Sequence, residues 1–117
     1  MDDRLKNSSL KDLLLLLLRR RSRFRVTGNS MIPLLKPGEI LLVDLAAYRQ
    51  KSPRVGDIVI AWHPHRTNLK IVKRVASVLD DGSCFLIGDN PAESTDSRSF
   101  GAIAFAGILG KVCCKFP

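Results

Sequence analysis

The sequence predicts an all-β domain of strongly bent antiparallel sheets, preceded by one short helix. Three observations predict it. From Phe24 onward, apolar residues come in short runs of strand length, not at helical spacing. Those runs, at 39–44, 57–62, 69–78, 84–87 and 108–114, are rich in Val, Ile and Leu. Between them stand turn formers: Pro37-Gly38, the stretch 53–56, Asp80-Asp81-Gly82 and Gly88-Asp89-Asn90-Pro91. At 117 residues, 45% hydrophobic and 26% charged, the chain has the size and composition of one globular domain that needs no disulfide or metal staple.

Ser8 or Ser9 suits the cap of a helix running through Lys11 and Asp12 into Leu13, Leu14, Leu15, Leu16, Leu17 and Leu18 and stopping near the arginines. At about 100° per residue, six leucines circle the helix, so packing one flank on a core leaves the others bare. A lipid surface, a partner or a second copy of the chain is expected to cover them. A bilayer span needs about 20 apolar residues, and a secretory leader needs about 7 to 15 followed by a small-residue cleavage site. This run is six long and ends in Arg19-Arg20-Arg21. The expectation is a soluble, cytoplasmic protein, attached to membranes at most peripherally. Residues 1–23 form a helical and basic segment, and residues 24–117 the β domain.

The 19 Lys and Arg outnumber the 11 Asp and Glu, giving a net charge of +8, and Arg19, Arg20, Arg21, Arg23 and Arg25 concentrate the excess. Such a cluster can meet nucleic acid, an anionic membrane or an acidic partner, or simply be solvated. The segment before the β body is too short for a helix-turn-helix, and no strand carries the aromatic residues that stack on single-stranded bases. No nucleic-acid partner is expected. Cys84, Cys113 and Cys114 are odd in number and form no C-x-x-C, which suggests a reducing compartment and small buried side chains. His63 and His65 flank Pro64 and fall short of the three or four ligands of a metal site. No metal or other cofactor is expected.

Three segments carry reactive side chains. Ser30 stands in Gly28-Asn29-Ser30-Met31-Ile32-Pro33, where a short strand gives way to a turn that can expose a hydroxyl; by itself it also reads as an ordinary turn serine. Lys73 shares a strand face with Ile71 and Val75, while Lys70 and Arg74 share the opposite face with Val72. Burial there would lower its pKa from the ordinary value of about 10.4 and make it a base; the alternative is a sheet-edge lysine with its head in water. The stretch 88–98 combines a tight turn with Ser94, Asp96 and Arg98, either an exposed polar loop or the surroundings of a catalytic amine.

In this order the segments resemble the type I signal peptidases and their soluble relatives. The resemblance covers residues 24–112: the box around Ser30, Gly56-Asp57-Ile58-Val59, Lys73-Arg74-Val75, Gly88-Asp89-Asn90 through Arg98, Gly101, and Gly110-Lys111-Val112. It implies a serine endopeptidase with Ser30 as nucleophile, Lys73 as general base, Ser94 orienting the lysine, and Asp96 and Arg98 bracing the site. Gly28 and Asn29 would support the oxyanion site, with Met31 and Pro33 touching substrate. Some members place a hydroxyl two residues before the nucleophile; here that position is Gly28, so the Ser30 N–H would carry more of the work. Within the family, 61–64 and 90–101 are most similar to proteases that mature nickel-type superoxide dismutase, which implies that precursor as partner and any metal as the substrate's own. The alternative is a peripheral membrane signal peptidase anchored through its leucines and arginines.

Overall fold

The computed structural model describes Leu5, residues 8–17 and residues 21–116. Six strands form one antiparallel sheet: β1 (Ser22–Arg25), β2 (Ile40–Asp44), β3 (Ile58–Trp62), β4 (Lys70–Val78), β5 (Cys84–Ile87) and β6 (Ile108–Lys115), in the order β1-β2-β6-β3-β4-β5. Helices are short: α1 (Leu10–Leu17) and the single turn α2 (Ser97–Phe100). The mostly antiparallel β architecture read from the sequence is the one present. β1 is the addition, a four-residue edge strand whose alternating Ser-Arg-Phe-Arg pattern holds too few apolar residues to stand out.

The sheet buries both of its faces. Along β3, Ile58 and Ile60 join Met31, Leu35, Leu41, Val43 and Val112 on one side. Val59 and Ala61 join Tyr48, Val75, Cys84, Leu86 and Ile103 on the other. Alternation of side chains along a strand requires this split, and it makes β3 the middle of the protein. The register shifts at Leu42/Val43, Ile60/Ala61 and Val75/Ser77; each such irregularity increases local twist and bends the sheet.

One feature of the fold prepares the site. β5 pairs with β4 only from Arg74 onward, whereas β3 pairs with β4 from Lys70. Among the described residues, the first four positions of β4 therefore keep an open edge on the β5 side, next to Lys73. At the other end of the chain, Ser9 caps α1 reciprocally: its hydroxyl accepts the Asp12 N–H at 3.2 Å while the Asp12 carboxylate accepts the Ser9 N–H at 3.1 Å. The Ser8 N–H donates to the Lys115 carbonyl, fastening the helix entry to the end of β6. Leu10 and Leu14 on α1 remain exposed, as a helix with leucines on several faces must leave some of them. Leu18, Arg19 and Arg20 lie outside the described residues.

Cys84 and Cys114 are buried and Cys113 is half-buried, as small apolar side chains in a core would be. Burial raises all three thiols, Cys114 to about 11, so they are poor nucleophiles.

Candidate active site

Ser30 is presented by a loop pinned at both ends. The Val26 N–H donates to the Glu39 carbonyl, and the Gly38 N–H returns to Val26, each at 2.8 Å. Inside the loop Met31 and Leu35 are 1% and 0% exposed, two hooks sunk in the core. Gly28 turns the chain at φ +73°, a conformation L side chains adopt rarely. Ser30, between that turn and the Met31 hook, is left half-exposed. Among the described residues, neither its hydroxyl nor its N–H has a hydrogen-bond partner. Its carbonyl does: the Asn90 N–H donates to it at 2.8 Å, and Asn90 Nδ2 donates to the Asn29 carbonyl at 3.1 Å.

Lys73 lies on the β4 face shared with Ile71 and Val75 and is 4% exposed. Its Nζ donates to Ser94 Oγ at 3.1 Å, and Ser94 Oγ donates to Asp96 Oδ2 at 2.7 Å. Asp96, 1% exposed, also accepts the Gly88 N–H and three bonds from Arg98, through its backbone N–H, Nε and Nη2. Burial alone would raise the Asp96 carboxyl, but the bonds from Arg98, Gly88 and Ser94 outweigh it and hold the group well below the usual carboxylate range. For Lys73 desolvation dominates. It lowers the ammonium below its ordinary value, opposed by the charge of Asp96 and assisted by that of Arg98.

Gly88, which the sequence offers only as a turn former within the motif 88–98, also shapes the site. A Cβ at this position would overlap the Ser94 side chain and stand 2.7 Å from the Ser30 carbonyl oxygen. Only a glycine lets the backbone carrying Asn90 pass between the two serines. The turn is clamped from behind, where Arg74 binds both oxygens of Asp89 at 2.8 Å and reaches the Gly56 carbonyl. Arg74 extends from the β4 face opposite Lys73, so one strand supplies both the buried amine and the cation that fixes the turn.

Ser30 and Lys73 line the same cavity, about 180 Å³, whose other walls include Phe24 of β1, Thr27 just after it, and Leu69, Ile71 and Val72 of the β4 segment. Of the residues expected to touch substrate, Pro33 is exposed in the turn. Met31 is not available: its burial in the core leaves no surface for a substrate, and its contribution is to anchor the loop. The signal that separates them is burial, which a turn sequence does not reveal. His63 Nδ1 accepts the N–H groups of His65 and Arg66, closing the loop after β3. Among the described residues no cluster of three His, Cys, Asp or Glu stands where it could hold a metal ion. A hydroxyl without partners, a buried amine held by a second hydroxyl that a carboxylate orients, and an open strand edge beside them are together suited to acyl transfer on an extended peptide.

The family described as signal peptidase, peptidase S26, matches residues 13–81 and 76–116. The chain is 32% identical over 108 residues to mitochondrial inner membrane protease subunit 1 of Xenopus tropicalis, covering 76% of this chain and 65% of that protein. It is 34% identical over 107 residues to mitochondrial ATP-independent inner membrane protease subunit 1b of Arabidopsis thaliana, covering 73% and 63%. Mitochondrial inner membrane protease subunit 1 of Homo sapiens is 30% identical over 108 residues, with 76% and 65% covered. The chain thus spans a little under two thirds of the length of these relatives. They support the signal-peptidase likeness and not the narrower likeness to maturation proteases of nickel superoxide dismutase. They also overturn the expectation of a cytoplasmic protein, since each is named for a membrane. The shortness of the leucine run argues against a spanning helix and is silent on a membrane location. Among the described residues no helix is long and apolar enough to cross a membrane, and that does not decide where a protein works.

Proposed function

The chain belongs to the signal peptidase, peptidase S26, family, and from that membership we propose that it is a serine endopeptidase working at a membrane face, where it removes N-terminal extensions from precursor proteins. Ser30 is the nucleophile and Lys73 the general base. The observation that carries this assignment is the chain of hydrogen bonds from Lys73 through Ser94 to Asp96, beside the unpartnered Ser30 hydroxyl in one cavity. Neutral Lys73 takes the Ser30 proton as Oγ attacks the scissile carbonyl; the ammonium then gives that proton to the departing amine, leaving an acyl-enzyme that water hydrolyses by the same steps. The free Ser30 N–H supports an oxyanion site. The open edge of β4 supports docking of the substrate as an added strand. No cofactor enters the mechanism.

Exposed Leu10 and Leu14 on α1 support peripheral attachment, and the names of the relatives as subunits support a protein partner. A nickel superoxide dismutase precursor as substrate rests only on the likeness of 61–64 and 90–101. The deciding experiment incubates the protein, and Ser30→Ala in parallel, with a membrane-bound precursor and with a nickel superoxide dismutase precursor, and maps new N-termini by mass spectrometry. Cleavage of the membrane-bound precursor by the wild type alone is expected. Cleavage of neither precursor would overturn the endopeptidase reading.

A further inference from the structure

The connector between β3 and β4 is folded around one side chain that the mechanism does not use. His63 Nδ1 accepts the N–H groups of His65 at 3.1 Å and of Arg66 at 3.0 Å, and the His63 N–H donates to the Leu69 carbonyl at 2.7 Å. The imidazole ring stands edge-on to Phe100 of α2, with 5.1 Å between centroids. Asp96 caps α2, so this contact ties the connector to the turn that holds the carboxylate. At its far end the connector leads through Leu69 into Lys70 and Ile71. All three line the cavity of Ser30 and Lys73, and the last two belong to the open edge of β4. A ring nitrogen that accepts two N–H groups carries no proton, so this geometry requires a neutral imidazole. The surroundings favour that form. Partial burial disfavours a charge on His63 most, and the basic groups facing it add to the effect: Arg66 and His65 in the connector and Lys73 on β4, while α2 contributes the uncharged Phe100.

We propose that His63 is a positioning residue for the substrate: its neutral imidazole holds the connector so that the open edge of β4 is ready for an incoming strand, and protonation of Nδ1 releases it. The inference rests on the endopeptidase reading above and adds to it an acid-sensitive step in substrate binding. A proton on Nδ1 turns the shared acceptor into a donor, and the N–H groups of His65 and Arg66 then face a third N–H. β3 and β4 stay paired from Trp62 and Lys70 onward without these bonds, so the change is confined to the connector and the start of the docking edge. The hydrogen bonds joining Lys73, Ser94 and Asp96 involve no connector residue. A positive charge on His63 disfavours the Lys73 ammonium and so favours the active amine. The loss on acidification therefore belongs to KM and not to kcat.

The test compares wild type, His63→Ala, His63→Asn and His65→Ala in steady-state cleavage of the membrane-bound precursor between about pH 5 and 8. Wild-type KM should rise by roughly tenfold, the scale of two weakened backbone hydrogen bonds, as pH falls below the ordinary histidine value of about 6.5. His63→Ala should show the raised KM at every pH. Asparagine places Oδ1 where histidine places Nδ1 and accepts the same kind of forward N–H bond. His63→Asn should therefore keep the low KM and lose its acid dependence, whereas a role for ring bulk against Phe100 alone would be lost in Asn as in Ala. The acid dependence should persist in His65→Ala, since His65 supplies only its backbone N–H. Amide exchange in the full chain carrying Ser30→Ala gives a readout apart from activity: protection of the His65 and Arg66 N–H groups, corrected for intrinsic rates, should fall through the same pH range and stay constant once His63→Asn is added. Binding of the same precursor to immobilised Ser30→Ala should weaken in parallel; seen without any cleavage by the wild type, that result keeps the positioning role while the endopeptidase reading fails by itself. A KM unchanged in His63→Ala, an acid dependence of KM that survives His63→Asn, or precursor binding that is absent or indifferent to His63 overturns the proposal.

Discussion

Lys73 Nζ lies 3.1 Å from Ser94 Oγ, and because the Ser94 hydroxyl donates its one proton to Asp96, that oxygen can only accept from the lysine. The direction of the chain is thereby fixed. A neutral amine that gives one N–H to Ser94 keeps its lone pair for another partner, and Ser30 lines the same cavity. The carboxylate sets this polarity without touching the amine, through five hydrogen bonds that keep it ionised.

Asp96→Asn should therefore lose both activity and stability. An amide offers one acceptor where the carboxylate serves Ser94, Gly88 and Arg98, so buried donors are left facing a donor, at about 2–3 kcal/mol. Denaturant unfolding measures the loss. In the wild type the Asp96 pKa is lowered on folding, so its contribution is full above the unfolded value of about 3.9 and disappears as pH falls through the folded value. Asp96→Asn should lack that acid-dependent component. Unchanged stability in the variant would show that the carboxylate is not what orders Ser94.

Gly88→Ala should inactivate with little effect on the cooperativity of unfolding. The added methyl meets Ser94 and the Ser30 carbonyl, and a displacement of about 1 Å between reacting groups costs on the order of 100-fold in rate. Steady-state cleavage with circular dichroism as a control measures it. Activity within about threefold of wild type would mean that the turn yields without moving either serine.

The strand pattern makes much of this arrangement legible in the sequence. Alternation along 70–75 separates Lys73 from Lys70 and Arg74, and that separation is what buries one cation and leaves its neighbours outside. Turn chemistry located Ser30 and the stretch 88–98. The rest depends on contacts between distant segments. The family resemblance implies that Met31 touches substrate, yet core packing claims its side chain. The role of Gly88 appears only when the Ser94 and Ser30 backbones meet around it, and β1 became a strand by pairing with β2, not by its own composition. Location in the cell was illegible because the length of a leucine run excludes a span and nothing more.

Ser30→Ala should abolish cleavage and leave Tm within about 2 °C, since removal of a half-exposed hydroxyl without partners breaks no contact. Thermal unfolding and cleavage assays decide together. Residual activity within tenfold of wild type would place the nucleophile elsewhere.

Lys73→Met should be inactive but more stable than wild type at neutral pH. Desolvation lowers the folded pKa of Lys73 below its unfolded value of about 10.4, so folding releases a proton or buries a charge, and either opposes folding at pH 7. Methionine fills a similar volume without that penalty. A rise of a few degrees in Tm, vanishing as pH approaches the unfolded lysine value, is expected; a fall at pH 7 would show that the Ser94 bond outweighs desolvation.

Lys73→Arg tests the base most directly. If Lys73 only supplied positive charge, arginine would replace it with partial function. As a general base it must give up its proton, and a guanidinium keeps one at any working pH, so the variant should be as inactive as Lys73→Ala. The wild-type profile should rise with pH on a limb set by Lys73, because the neutral amine is the active form. Desolvation places that limb below the ordinary value of about 10.4, with the charge of Asp96 pulling it upward and that of Arg98 pushing it down. Removing Arg98's charge, as in Arg98→Gln, should therefore move the limb to higher pH, whereas a merely structural role for Arg98 would lower the plateau and leave the limb in place. Single-turnover cleavage across the pH range reads both. Substantial cleavage by Lys73→Arg would end the assignment of Lys73 as the base.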